Sequence, residues 1–300
     1  MMKLKEILSM ETKELILKAN RMTSNLKLDL CSIVNAKSGI CDQDCKFCAQ
    51  SSLYNTGVKK YPLLDKESIL EKAKEAEKMG AIRFGIVTSG KRLTRKEILK
   101  VAKIIEFLKA NTNLKICASL GVLEKDELRY LKENGLDRYH HNLETSPGFF
   151  RNICTTHTFY DRVKTVENAK NVELEVCSGG IFGVGENFDD RLELAKILKD
   201  LEVDSVPINF LIPIRGTPFE NFQKLDVVER IRTIAMFRVV LGENVTIKIA
   251  AGREDFGDFQ ALAFFAGANG MIVGGYLTLK GRSYDDDIKL IEGLRELMRW

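Results

Sequence analysis

The sequence predicts an α/β fold closed into an eight-stranded (β/α)8 barrel of the TIM type. Three observations carry this expectation. Eight short apolar segments rich in β-branched residues recur along the chain. Each is followed by a segment with helical patterning, the rhythm of parallel strands joined by right-handed crossovers. No Pro/Gly/Ser linker or low-complexity stretch divides the 300 residues, a length that suits one closed barrel. We therefore expect one barrel domain over residues 1–300, with residues 1–25 as an N-terminal helical extension and no separate second domain.

The elements follow in order. The N-terminus mixes Lys3, Lys5 and Glu6 with apolar residues, the pattern of an amphipathic helix and not of a targeting peptide. Residues 28–34 form the first strand and lead into a cysteine-bearing loop. Residues 66–79 carry helical charge pairing and stop at Gly80. Residues 82–87 are the second strand. Residues 94–109 are a helix with Thr94 as N-cap and Glu97 three residues on, a capping box. The third strand spans 114–119. A helix over 124–133 closes at Asn134-Gly135, and the fourth strand spans 136–140. A helix over 160–170 precedes the fifth strand, 172–178, which Gly179-Gly180 breaks. Helix 189–201, strand 205–211 and helix 227–241, ended by Gly242, come next. Strand 245–250, helix 256–265, strand 270–273 and a closing helix over 286–298 complete the count. The run Asp285-Asp286-Asp287 is expected to complement that last helix's dipole.

In a barrel of this kind chemistry sits on the loops after the strand C-termini. The loop after the first strand holds Cys41, Cys45 and Cys48 in a C-x3-C-x2-C run, with Phe47 directly before the last cysteine. Three thiolates this close grip three irons of a [4Fe–4S] cube and leave the fourth iron open. A zinc site wants four ligands, and no further Cys or His lies within the next sixty residues. Disulfides fit poorly in a chain with seven cysteines, an odd number, and no signal peptide. The spacing is the pattern of radical S-adenosylmethionine (SAM) enzymes, in which the open iron takes the methionine part of SAM.

The bulk composition is that of a globular protein with a full core: 45% apolar, 29% charged. A net charge of +4 without a basic stripe makes nucleic acid an unexpected partner. No apolar run reaches membrane-spanning length. Unpaired cysteines fit a reducing cytoplasm.

Three more cysteines, Cys31, Cys117 and Cys177, fall on separate strands. Residues at like depth on barrel strands meet inside, so a second metal or sulfur site is as consistent with the pattern as three apolar fillers. Cys154 reads as a spectator in the loop after strand four, and His157 as an ordinary loop histidine.

The residues reached so far resemble those of the biotin synthase family along nearly the whole chain. The runs that carry the resemblance are Cys-Asp-Gln-Asp-Cys-Lys-Phe-Cys-Ala-Gln-Ser at 41–51, His-Asn-Leu-Glu-Thr-Ser-Pro at 141–147 and Cys-Ser-Gly-Gly-Ile-Phe-Gly-Val-Gly-Glu at 177–186. Ser-Val-Pro-Ile-Asn at 205–209, Gly-Thr-Pro at 216–218 and Ala-Gly-Arg-Glu at 251–254 add to them. The first marks the broad radical SAM superfamily, and the later runs are far more specific.

The resemblance implies a homodimeric barrel enzyme that converts dethiobiotin to biotin. Two SAM-derived radicals abstract hydrogens in turn, and sulfur comes from an auxiliary iron–sulfur cluster. Electrons would come from flavodoxin or ferredoxin. By the same resemblance Asn142 bridges the SAM ribose and the substrate's ureido ring, and Glu144, an Asp in relatives, holds the ribose hydroxyls. Asn209 lines that pocket, Phe47 sits at the cofactor, and the Gly183, Gly185 and Glu186 turn approaches it. His140 stands where the family has Asn, in the substrate contact.

The chain departs from the family at the auxiliary cluster. The usual [2Fe–2S] site uses three cysteines and an arginine. Cys117 and Cys177 match two positions, but the other two fall on Gly85 and Lys248. Glycine has no ligand atom, and an ammonium is a poor one. Cys31 offers a replacement, so the expected set is Cys31, Cys117 and Cys177 around a different cluster, a four-iron type with an extra sulfide. The alternatives are a biotin-synthase-like radical SAM enzyme of another cofactor pathway without sulfur insertion, and a non-catalytic iron–sulfur or zinc scaffold.

Overall fold

A computed structural model describes residues 4–23, 26–275, 277, 283–298 and 300. Parts of the expected N-terminal extension, residues 1–3, 24 and 25, lie outside them. Helices α1 (Leu4–Ser9) and α2 (Thr12–Arg21) come first. The strands are β1 (Asp29–Lys37), β2 (Arg83–Thr88), β3 (Lys115–Ser119), β4 (Arg138–His140), β5 (Glu175–Cys177), β6 (Gly180–Phe182), β7 (Ser205–Phe210), β8 (Thr246–Ile249) and β9 (Gly270–Ile272). Helices α3 (Lys66–Lys78), α4 (Arg95–Asn111) and α5 (Lys125–Glu133) follow the first three strands. A short α6 (Phe150–Ile153) and then α7 (Phe159–Asn171) follow β4. Next come α8 (Phe188–Asp200), α9 (Val227–Leu241), α10 (Gln260–Phe265) and α11 (Tyr284–Met298).

All strand pairings are parallel, in the order β5-β4-β3-β2-β1-β9-β8-β7-β6. Cys177 of β5 also pairs with Ser205 of β7, which closes the sheet. The fold is thus the expected eight-staved barrel, with β5 and β6 as one interrupted stave. The expected fifth strand over 172–178 is shorter than its pattern, and it resumes after the glycine pair. The reason is close approach: a Cβ on Gly179 would lie 2.0 Å from the Pro207 carbonyl oxygen, and one on Gly180 2.5 Å from that of Glu144. Only glycine lets this stave pass its neighbours.

Local signals hold most helix starts. Thr94 and Glu97 form the expected capping box of α4, and Thr158 with Asp161 and Asn187 with Asp190 do the same for α7 and α8. The expected helix over 256–265 is instead a tight 3-10 segment, Arg253–Phe259, followed by α10. Gly257, at φ +51°, breaks the helical path between them. Fully buried Phe84, Tyr139, Phe182, Phe210 and Phe237 fill the space between barrel and helices. On the extension, α2 packs against α9, with Arg232 donating to Thr12 Oγ1 (2.9 Å) and to the Leu8 carbonyl (3.3 Å). No described helix is long and apolar enough to cross a membrane.

Asp287 does more than complement the α11 dipole. Its carboxylate takes two hydrogen bonds from Arg253, at 2.7 and 2.8 Å, and both side chains are almost fully buried. Breaking a buried pair leaves an uncompensated charge, so Asp287→Ala is expected to cost about 3–5 kcal/mol in a denaturant titration.

Candidate active site

A cavity of about 430 Å³ occupies the barrel interior and the loops above the strand ends. Cys41, Cys45, Phe47 and Cys48 all border it. Their loop, between β1 and α3, is irregular and is shaped by backbone contacts. Ser52 N donates to the Cys41 carbonyl (2.7 Å), Cys48 N to that of Cys45 (2.9 Å), and Lys46 N to Ile153 O (2.9 Å). Asp44 fastens the loop to the segment after β4. Its carboxylate accepts from the amides of Thr155 and Thr156 at 2.9 and 3.1 Å, and from both hydroxyls. Burial acts against that charge, but the bonds from Thr155, Cys154 and Thr156 outweigh it and hold the carboxyl far below the usual range.

Burial raises the Cys41 thiol and pushes Cys48 up to about 11. Among the described residues, Cys45, Cys154 and His157 are the trio whose ligand atoms all lie within 4.8 Å of one another. At least one pair of the three loop thiols is farther apart than that. Thiolates on one tetrahedral ion sit roughly 3.8 Å apart, so the spread suits a multi-iron cluster better than a single ion.

Deeper in the barrel, Cys31, Cys117 and Cys177 border the same cavity, beside Gly85, Arg138 and Lys248. Cys117 stands opposite Gly85 on one side and Arg138 on the other, and Cys177 opposite His140. Burial raises Cys31, and pushes Cys117 up to about 12 with the Cys31 charge adding to it. Burial also pushes Cys177 up, but the charge and hydrogen bond of His140, then Lys248, bring it down to about 6. Lys248 is committed elsewhere: its ammonium lies 2.8 Å from Asp29 Oδ1. Burial works against that charge, yet the neighbouring Cys31 and Asp29 hold its pKa above the ordinary value. Arg83 joins Asp29 (3.2 Å) to Glu175 (2.9 Å), and Arg138 also pairs with Glu175 (2.7 Å). A Cβ on Gly85 would meet Ile33 Cγ2 at 3.0 Å, a tight fit for any side chain.

The segment after β4 supplies the polar wall. Asn142 Oδ1 accepts from Gly179 N (3.1 Å), and its Nδ2 donates to Glu144 Oε2 (3.3 Å). Glu144 adopts φ +73°, a costly conformation for a non-glycine residue. The bonds that hold it there run from Glu144 N to Gly179 O (3.1 Å) and from Ile181 N to Glu144 O (2.8 Å). Burial raises the Glu144 carboxyl, while Arg162 at 3.5 Å opposes the rise. His141 is buried on the cavity wall, its Nε2 has no hydrogen-bond partner, and burial pushes it well toward the neutral form. A bound ligand would satisfy that nitrogen. Asn209 also borders the cavity, donating to Gly180 O (3.0 Å) and accepting from Ala251 N (3.2 Å).

The Gly183–Glu186 turn is placed differently from expectation, since none of Gly183, Gly185 and Glu186 borders the cavity. The Glu186 carboxylate is consumed by the amides of Gly183 (2.9 Å) and Val184 (2.8 Å) and by Arg191 (2.7 Å). The two glycines serve their positive φ values, +87° and +101°, and pack near Leu225 and Phe149.

Two expectations change. Cys154 is no spectator: its sulfur lies 3.7 Å from that of Cys45 and 3.2 Å from His157 Nδ1. His157 in turn meets Gln43 Oε1 (2.9 Å) and accepts from Arg162 Nε (3.0 Å). Arg162 has no motif to mark it. It is the fourth residue of an amphipathic helix and looks like a solvated charge until the barrel brings it to Asn142 O (2.8 Å).

The comparisons agree with this geometry. A family profile described as the Radical SAM superfamily matches residues 36–198, and one described as the Biotin and Thiamin Synthesis associated domain matches 207–295. A biotin synthase of Thermotoga neapolitana is 85% identical over 93% of this chain and 100% of its own length. A biotin synthase of Thermodesulfovibrio yellowstonii is 52% identical over 93% of this chain and 88% of its own. Among solved structures, methylornithine synthase (PylB) superposes with a TM-score of 0.82, at 20% identity, over 98% of this chain and 91% of its own. The FeFe-hydrogenase maturase HydG from Carboxydothermus hydrogenoformans gives 0.82 at 18% identity, over 97% and 75%. These two share the fold, while identity to the curated relatives decides the family. The protein with six thiols on one barrel cavity belongs to the biotin synthase family of radical SAM enzymes.

Proposed function

We propose that this enzyme inserts sulfur between two carbons of dethiobiotin, with Cys41, Cys45 and Cys48 holding the [4Fe–4S] cube and Cys31, Cys117 and Cys177 holding the sulfur-donating cluster. The observation that carries the reading is the placement of both thiol sets, one in the loop and one on the strands, on a single cavity of about 430 Å³. The donor set fits: each trio is all sulfur, bordered by polar groups with unused capacity such as His141 Nε2. When bound, the cube and SAM supply reductive cleavage to methionine and a 5′-deoxyadenosyl radical.

The protein's part is placement. Glu144, aimed by its strained backbone and by Arg162, would accept the ribose hydroxyls, and Asn142 beside it would join cofactor to substrate. Phe47 and the apolar cavity wall would close around the cofactor and confine its radical chemistry to the substrate's C–H bonds. Asn209 and His140 would hold the ureido ring. Two SAM and two external electrons would remove two hydrogens, leaving two methionines and two 5′-deoxyadenosines, and closing the ring on one sulfide-level sulfur would leave two electrons with the iron of the donating cluster. The Gly183–Glu186 turn supports this wall from behind.

Cys31 is the reading for the third auxiliary ligand because Lys248 is spent on Asp29 and Gly85 has no ligand atom. A four-iron auxiliary cluster with an extra sulfide suits three thiols better than a two-iron one. The proposal also takes residues 1–300 as a single barrel domain, supported by the place of β8 and β9, from the second matched region, in the same closed sheet as β1. A homodimer and reduction by flavodoxin or ferredoxin rest on the family resemblance. A cytoplasmic setting is supported by seven unpaired thiols.

Anaerobic incubation of reconstituted enzyme with dethiobiotin, SAM and reductant is expected to give biotin by mass detection. Formation of 5′-deoxyadenosine with dethiobiotin untouched would support the variant without sulfur insertion.

A further inference from the structure

Around the strand thiols the barrel interior holds more positive charge than its carboxylates answer. Lys248 pairs with Asp29 at 2.8 Å, Arg83 joins Asp29 to Glu175, and Arg138 ends the row on Glu175. Three cations thus share two carboxylates, and Lys248, Arg83 and Arg138 are all buried. A buried charge in surplus is costly unless an anion meets it.

Arg138 is the cation with donors in reserve. Its Nε and Nη2 both reach Glu175 Oε2, at 2.9 and 2.7 Å. Its Nη1 has no hydrogen-bond partner among the described residues, although the residue is only 4% exposed. A guanidinium is a planar fork, and Nη1 lies outside its Nε–Nη2 edge, so the spare donors point away from Glu175. Arg83 Nη1 is unpartnered too, but Arg83 does not border the cavity, whereas Arg138 does. Strand register sets Arg138 directly opposite Cys117, and His140, two residues on, opposite Cys177. Burial works against the Arg138 charge, but the neighbouring Cys177 and Cys117, more than Glu175, raise its pKa above the ordinary value.

We propose that Arg138 Nη1 donates a hydrogen bond to an inorganic sulfide of the auxiliary cluster, and that its charge biases that cluster toward the reduced state. A cluster of thiolates and sulfide supplies the negative charge that the row of cations lacks. A donor and a cation beside cluster sulfur favour the state with one more electron, because reduction adds negative charge there. A protonated guanidinium offers donors and no lone pair, so it meets sulfur and not iron. The inference rests on Cys31, Cys117 and Cys177 holding that cluster, as proposed above.

The test is a redox titration of the reconstituted full chain, following the EPR signals of both clusters, with the loop cube as internal reference. Arg138→Met is expected to load both clusters and to show about a tenfold lower reduced-to-oxidised ratio for the auxiliary cluster at fixed poise, about 59 mV for a one-electron couple, with the cube unmoved. Glu175 keeps Arg83 at 2.9 Å in that variant, so its carboxylate is not stranded. Glu175→Gln removes the ion-pair partner but not the Nη1 donor, and should leave the auxiliary ratio unchanged or raise it. An unchanged auxiliary ratio in loaded Arg138→Met, an equal fall in both clusters, or the same fall in Glu175→Gln reduces Arg138 to a structural ion pair and overturns the assignment. If Arg138→Met fails to load, Arg138→Lys decides. One ammonium cannot serve Glu175 and a sulfide together, so a fall of about threefold or more is expected there, and no fall refutes the donor. An auxiliary signal that persists unchanged in Cys117→Ala would instead refute the cluster reading beneath it.

Discussion

Cys48→Ala is expected to abolish the cubane absorption and all reductive cleavage of SAM, while leaving the barrel folded. Loss of an outer-shell partner costs a metal site 10–100-fold, so loss of a direct ligand should exceed about 100-fold in 5′-deoxyadenosine formed. The fold survives because the loop is shaped by backbone contacts that the substitution keeps. Cys48 enters it through its amide, which donates to the Cys45 carbonyl, and Asp44 pins the loop to Thr155 and Thr156 without help from the Cys48 thiol. Anaerobic reconstitution followed by iron and sulfide analysis, with chromatographic detection of 5′-deoxyadenosine, measures the effect. A variant that still cleaves SAM at the wild-type rate would remove the basis for the proposed cluster.

The second large effect separates the two chemistries. Cys177→Ala should leave SAM cleavage within a few-fold of wild type and lower biotin formation by more than about 100-fold. The reason is position. Cys177 sits on β5, paired with His140, and its thiol is the one strand cysteine brought down, to about 6, so it is the readiest of the three to bind iron. The loop thiols are separate from it in the chain and keep their own contacts. Cys31→Ala refines the result: Mössbauer spectra should lose the auxiliary component and keep that of the cube. An auxiliary signal unchanged in Cys31→Ala would return Cys31 to the role of core filler and reopen the question of the third ligand.

Much of this was readable along the chain because the signals are local. The C-x3-C-x2-C run, the Thr94–Glu97 capping box and the alternation of eight strands with helices each sit within a few residues of their causes. Arg162 and Asp287 lie beyond such local signals: Arg162 carries no motif and Asp287 was expected only to complement a helix dipole, yet folding brings the first to Asn142 and His157 and the second to Arg253. The Glu186 turn shows the converse: a run that matches the family still says nothing of which way its carboxylate points, and here it points back into its own amides and Arg191.

Spacing, periodicity and family-specific runs were sufficient for the fold class and the family. They could not bring Cys154 to Cys45, because 109 residues separate the two and their contact exists only after β1 and β4 take their places in a closed barrel. The same closure puts Cys31, Cys117 and Cys177 on one cavity and commits Lys248 to Asp29. Ligand chemistry is a property of residue type and is written locally. Which donor meets which acceptor depends on strand register and burial, and those are settled by packing of the whole chain.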